Sequence, residues 1–312
     1  MPPSLKHGIY QIRHSRKPVA LHLQDGNLND GAPHVPGVLL CSRTDVAAPN
    51  MIQGARVAAW ADNGDWAQLW LFEPVQDEQD AYCLRNIFGG KYLDLDLSKT
   101  KASEQLGCFP RSGDQQKWII KLASGGTYYK IQNKATKNFL DLWGGFTANG
   151  SNIECMEGDW VAGTGDNKEW SIRLISVTGA EVHTALKSSA CGDFTNHRER
   201  SDALYLPMHP DRLTEIWQSS GLPNTPWRAQ VFEWDSFALL YKATVAKYTR
   251  DKCHADGFSP LLGTLIGTNN GGVDACNWTI LPDDPSEIRY FDPNTGQLRD
   301  CPVLGGVTLK FF

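Results

Sequence analysis

Aromatic-led segments recur three times in the first half of this chain, at Tyr10-Gln-Ile-Arg, Tyr82-Cys-Leu-Arg and Tyr129-Lys-Ile-Gln. Twelve residues after each tyrosine stands His22, Asp94 or Asp141, within Ala20-Leu-His-Leu, Tyr92-Leu-Asp-Leu and Phe139-Leu-Asp-Leu. Each copy closes on a tryptophan, in Gln68-Leu-Trp70, Gln116-Lys-Trp118 and Lys168-Glu-Trp170. Apolar residues alternate along these segments, and Gly, Asn, Asp and Ser separate them, the pattern of short antiparallel strands. Such self-similarity makes residues 1–173 one all-β domain built from three repeats. The first copy runs long, and its surplus around Leu39–Asp65 reads as an inserted surface loop.

The 312 residues leave room for a second domain, and the pattern changes after Ser176. Leu213, Ile216 and Trp217 fall at helical spacing, with Gly221 as a stop. Phe237, Leu240, Tyr241 and Val245 form an apolar stripe along a second helix, with Asp235 or Ser236 as its N-cap. β-like runs follow at Leu261–Ile266, Cys276–Leu281, Ile288–Phe291 and Val307–Phe312, which makes residues 174–312 an α+β domain.

A net charge of −5 argues against nucleic acid as a partner. No apolar run reaches the ~18 residues of a membrane span, so membrane insertion is not expected. Met1–Tyr10 has no apolar leader core, which points to cytoplasmic synthesis and, for any release, a non-classical route. None of the eight cysteines forms a C-x-x-C pair. They read as reduced thiols, many of them small core residues.

The three repeats resemble the ricin-B-type β-trefoil, whose Q-x-W subdomains pack about a pseudo-threefold axis. On that reading Trp70, Trp118 and Trp170 build the core. A galactose-type site needs a short carboxylate for two adjacent hydroxyls, an amide or His nearby, and an aromatic face for the apolar side of the ring. The second repeat offers Asp94, Gln115, Gln116 and Phe109. The third offers Asp141 and Asn167, with Trp160 or Trp143 as the ring. The first has His22 where the carboxylate belongs and is expected not to bind. Cys108 and Met156 stand close to where relatives carry the stacking aromatic. The plain alternative for Asp94 and Asp141 is a turn-capping carboxylate; Asp25 and Asp96 read as solvated turn residues.

Gly221-Leu-Pro-Asn-Thr-Pro-Trp-Arg, Phe232-Glu-Trp-Asp-Ser-Phe-Ala, Ala255-Asp-Gly-Phe and Tyr290-Phe-Asp-Pro-Asn-Thr-Gly extend the likeness along nearly the whole chain. The sequence resembles the fungal chimerolectin family of the Marasmius oreades agglutinin, a trefoil lectin fused to a papain-like domain that dimerises. The resemblance implies galactosides or sialosides as ligands, and in active members a calcium-dependent cysteine protease. Carried across, the nucleophile position falls at Trp234, the histidine at Asp274 and the acid at Asp292. Indole cannot attack a carbonyl and a carboxylate cannot ion-pair with a thiolate, so the triad is broken. The resemblance also implies calcium beside this helix, with Asp235, Asp292 and Asn294 at donor positions and Ser236 in place of a further carboxylate; no cofactor is needed for sugar binding itself. Among the cysteines, Cys276 reads as core filling and Cys253-His254 as a poor dyad. The expectation is a lectin with a dead protease partner; the alternative is a glycan-targeted, calcium-dependent protease using another nucleophile.

Overall fold

The computed structural model describes residues 5–24, 55–99, 106–163, 166–187, 203–269, 272–281, 284, 287–300 and 306–311. The chain divides into two compact units, one running to Leu174 and taking in Cys253–Asp256, the other holding Ile175–Lys252 and Gly257 onward.

The first unit contains, among the described residues, β1 (Gly8–His14), β2 (Val19–Leu23), β3 (Ala55–Ala61), β4 (Leu69–Pro74), β5 (Ala81–Asn86), β6 (Tyr92–Leu95), β7 (Leu106–Phe109), β8 (Lys117–Leu122), β9 (Tyr129–Asn133), β10 (Phe139–Leu142), β11 (Ser151–Met156) and β12 (Trp170–Leu174). Antiparallel pairing runs β1–β4–β5–β8–β9–β12 and back to β1, which closes a six-stranded barrel. The remaining strands form three hairpins, β2–β3, β6–β7 and β10–β11, one from each repeat, and β3 pairs with both β7 and β11. A closed barrel capped by a hairpin triplet is the trefoil architecture the repeats anticipate. Closure also removes the free sheet edges that six short strands would otherwise expose.

Alternation along the hairpins separates a core face from a site face. Leu21, Leu93 and Leu140 point inward, opposite Ala59, Cys108 and Cys155. Trp70, Trp118 and Trp170 are fully buried, and each indole Nε1 donates at 3.0 Å to the carbonyl of Leu21, Leu93 or Leu140. Each tryptophan thereby anchors the residue just before the one at the twelfth position. Residues 25–54, and with them Asp25, lie outside the described residues. The remainder of the expected loop differs from expectation: Ala55–Ala61 is a strand with Ala55, Val57, Ala58 and Ala59 buried, because the first repeat needs its third strand to complete the hairpin triplet.

In the second unit β13 (Val177–Thr178) and β15 (Ser259–Leu261) flank β14 (Leu204–Pro207). A five-stranded antiparallel sheet follows, ordered β19 (Gln297–Arg299), β18 (Ile288–Asp292), β17 (Gly272–Ile280), β16 (Gly263–Asn269) and β20 (Gly306–Phe311). The helices are α1 (Gly179–Lys187), which the sequence reading missed, α2 (Pro210–Ser219) and α3 (Trp234–Lys252). Gly221 adopts φ 84° just past α2, as a helix stop requires. Phe237, Tyr241 and Val245 are buried along α3, but Leu240 is exposed; the helix seats a narrow face, and a step of three residues swings off it. Asp235 lies in the first turn of α3 rather than at its cap, since Trp234 is already helical. A Cβ on Gly263 would fall 1.9 Å from the indole of Trp278, its partner across β16–β17, so only glycine fits there.

Candidate functional site

In the second repeat, β6 and β7 bring Asp94, Tyr92, Gly107 and Phe109 onto one face, since Asp94 faces Gly107 and Tyr92 faces Phe109 in register. Asp94 is 4% exposed. Gly107, itself buried, adds no side chain beside the carboxylate. Ser112 Oγ lies 3.4 Å from Asp94 Oδ2, and Gln115 Nε2 donates to that hydroxyl at 2.8 Å. Gln116 braces the loop: its Oε1 accepts from Ser112 N at 2.6 Å and its Nε2 donates to Pro110 O at 2.7 Å. Burial raises the Asp94 carboxyl above the usual aspartate range, against the lowering pull of hydrogen bonds from Gln116 and Ser112. Asp94, Gln115 and the fully buried Gln116 are thus linked through Ser112, and Phe109 shares the hairpin face of Asp94. Ser112 and Gly107 complete the group, and the twelve-residue spacing did not single them out. Asp96 caps a turn, accepting from Ser98 N at 3.0 Å.

The same register superposes the other repeats on this one. In the third, Asp141 (7% exposed) faces Glu154, and Phe139 faces Met156. Lys168, the counterpart of Gln116, places Nζ 2.7 Å from Asp141 Oδ2. Glu154 is buried too, and its carboxyl is raised chiefly by burial and further by the charge of Asp141. Trp160 stands T-shaped to Phe139 at 4.9 Å, with Lys121 Nζ 5.6 Å above its ring. Trp143 is exposed and lies 5.3 Å from the exposed Phe146. The backbone carbonyl of Asn167 accepts from Leu142 N at 3.0 Å, which ties its loop to β10. In the first repeat His22 faces Ala58 and stacks on Trp60 at 4.9 Å. Trp60 holds the position of Phe109 and Met156, and was hidden from sequence reasoning by the long insertion. Cys108 points into the core and is no candidate for the stacking position; a shift of one residue along a strand changes faces.

Two family descriptions match this chain. Residues 66–156 match the ricin-type beta-trefoil lectin domain-like family, and residues 205–298 match the agglutinin C-terminal family. The chain carries a ricin B-like lectin domain followed by an agglutinin C-terminal domain. A lectin of Polyporus squamosus, solved bound to the epitope Neu5Acα2-6Galβ1-4GlcNAc, is similar over 95% of both chains, with 29% identity and a TM-score of 0.74. The structure of the PSL1a-E64 complex is similar over 95% of both chains at 28% identity, also with a TM-score of 0.74. An exo-beta-1,6-galactobiohydrolase of Bifidobacterium longum subsp. longum is 27% identical over 146 residues. That match takes in 44% of this chain and 10% of the bifidobacterial protein.

In the agglutinin C-terminal domain, Trp234 opens α3 with its ring 6.5 Å from that of Trp227. Asp274 is held in a two-point ion pair by Arg299, at 3.1 and 3.0 Å. Asn277 and Phe291 face α3: Asn277 Nδ2 donates to Ala238 O at 3.0 Å and Phe291 stacks on Tyr241 at 5.0 Å. By strand alternation Asp274 and Asp292 point to the opposite face, where Cys276 is fully buried. Burial pushes the Cys276 thiol up to about 12. Asp235 Oδ1 accepts from Ser236 N at 2.8 Å, and Asp292 Oδ1 from Asn294 N at 2.9 Å. Among the described residues no three His, Cys, Asp or Glu side chains gather as a metal cage. Cys253 and His254 lie in the first unit, where His254 N donates to Ile87 O at 3.0 Å and its ring meets Phe88.

Proposed function

We propose that this chain is a galactoside-binding lectin whose working site is Asp94, the galactose carrying a sialic acid or not. The observation that carries the reading is a buried carboxylate facing a residue without a side chain, Gly107, with Phe109 on the same face and Ser112, Gln115 and Gln116 around it. Two adjacent hydroxyls of a galactose-type sugar can donate to the two Asp94 oxygens, one of them replacing the long 3.4 Å contact of the neutral Ser112 hydroxyl at Oδ2, and charge assistance strengthens both bonds. The apolar side of the ring rests on Phe109. The likeness to a lectin bound to a sialylated galactose epitope supports both the galactose core and its sialylated form.

In this reading the agglutinin C-terminal domain performs no proteolysis. Trp234 has no nucleophilic atom, and Asp274 is already paired with Arg299. Pairing of two chains through that domain, as the resemblance implies, belongs to the same reading.

Glycan-array binding of the full chain beside Asp94→Ala tests it. Galactose-terminated or sialylated galactose glycans are expected to bind, to be displaced by lactose, and to be lost in the variant. Chelation by EDTA is expected to change nothing, because no step at Asp94 uses a metal. Failure of galactose, lactose and sialosides alike to compete would end this reading.

A further inference from the structure

We propose that Lys168 and Glu154 close the third repeat to neutral sugars, leaving one galactoside site per chain, at Asp94. This rests on the galactoside reading of the Asp94 site and adds the residues that set its valence.

Strand register fixes the comparison, position by position. Beside the carboxylate, the second repeat has Gly107 and the third has Glu154. At the ring position the second has Phe109 and the third the flexible, exposed Met156. At the amide position the second has Gln116, whose polar atoms bind the loop backbone, and the third has Lys168.

Each change works against a sugar for its own reason. The Lys168 ammonium lies 2.7 Å from Asp141 Oδ2, so one of the two oxygens that adjacent hydroxyls would need already has a strong donor. The Lys168 stem lies against Gly158 beside the Phe139 ring: a Cβ on Gly158 would meet Lys168 Cδ at 3.1 Å and the Phe139 ring at 3.2 Å. Glu154 places a second carboxylate beside Asp141 at the position where the second repeat has Gly107. An arriving hydroxyl would have to break a partly buried ion pair and leave one partner less compensated. Methionine, finally, presents no flat face for a sugar ring. The first repeat is closed differently, by His22 stacked on the aromatic face of Trp60 that a sugar would occupy.

Titration calorimetry of the full chain with lactose reads this directly. The wild type is expected to bind one lactose, Asp94→Ala to bind none, and Asp141→Asn to match the wild type. Glu154→Gly combined with Met156→Phe and Lys168→Gln installs the second repeat's pattern and is expected to raise the stoichiometry to two. Two sites in the wild type, or a binding event removed by Asp141→Asn, would overturn the assignment while leaving the galactoside reading intact. Lactose binding retained by Asp94→Ala would overturn it as well, even if the triple variant fails to fold. If the wild type binds no galactoside at all, the parent reading fails, and this one with it.

Discussion

At the scale of single residues, a buried Asp94 makes sugar binding depend on pH in a definite direction. Burial raises its pKa, so protonation begins above the ~3.9 of an ordinary aspartate. Only the charged form accepts from two hydroxyls, so affinity should fall as pH drops through the raised value, by up to about tenfold per pH unit. The fold should not follow, because a carboxyl whose pKa is raised on folding is relieved by protonation, not destabilised. Lactose titrations at stepped pH, with circular dichroism alongside, check both halves. An affinity flat across that range would place Asp94 outside the sugar contact. Asp94 was legible because repetition put it at a fixed offset from Tyr82. Glu154 and Lys168 were not, because their meaning depends on which residue faces which across β10–β11, and register is written in no single segment.

At the scale of elements, the repeats join core to site through three indole hydrogen bonds. Trp118 Nε1 donates to Leu93 O, one residue before Asp94, and Trp70 does the same for Leu21 beside His22. Trp118→Phe keeps most of the packing but leaves the Leu93 carbonyl without its donor, at a cost of about 1–3 kcal/mol in denaturant unfolding. Lactose affinity should weaken with it, since the strand that aims Asp94 loses its tether. Trp70→Phe should cost similar stability and leave lactose affinity unchanged; equal losses of affinity in the two variants would show that the tether acts only through the fold. The hairpins and the two longer helices were readable from periods of two and of about 3.6. The exceptions have local causes. β3 stood inside what looked like a loop because an insertion separates it from β2. α1 was short enough to pass unnoticed, although Val182, Ala185 and Leu186 keep helical spacing and are buried.

At the scale of the whole molecule, recognition belongs to the first unit on the proposed reading, and the second has no catalytic task. The lectin domain retains a carboxylate, an amide brace and a ring at Asp94. In the agglutinin C-terminal domain Trp234 begins α3, and Asp274 is tied to Arg299 on the sheet face away from that helix. A thiol elsewhere would have to ionise to act as a nucleophile. Cys83, Cys108, Cys155 and Cys276 are buried free thiols, and burial raises the pKa of each. The native chain should therefore hydrolyse no casein in millimolar calcium. Iodoacetamide at neutral pH should leave these four cysteines unmodified until the chain is denatured, as peptide mass mapping would read. Trp234→Cys alone should not restore turnover, because no imidazole stands at Asp274 to take the thiol proton and Arg299 already holds the carboxylate there. Casein cleavage abolished by a thiol blocker, or rapid native labelling of one of the four, would move the chain from lectin to enzyme and identify the nucleophile.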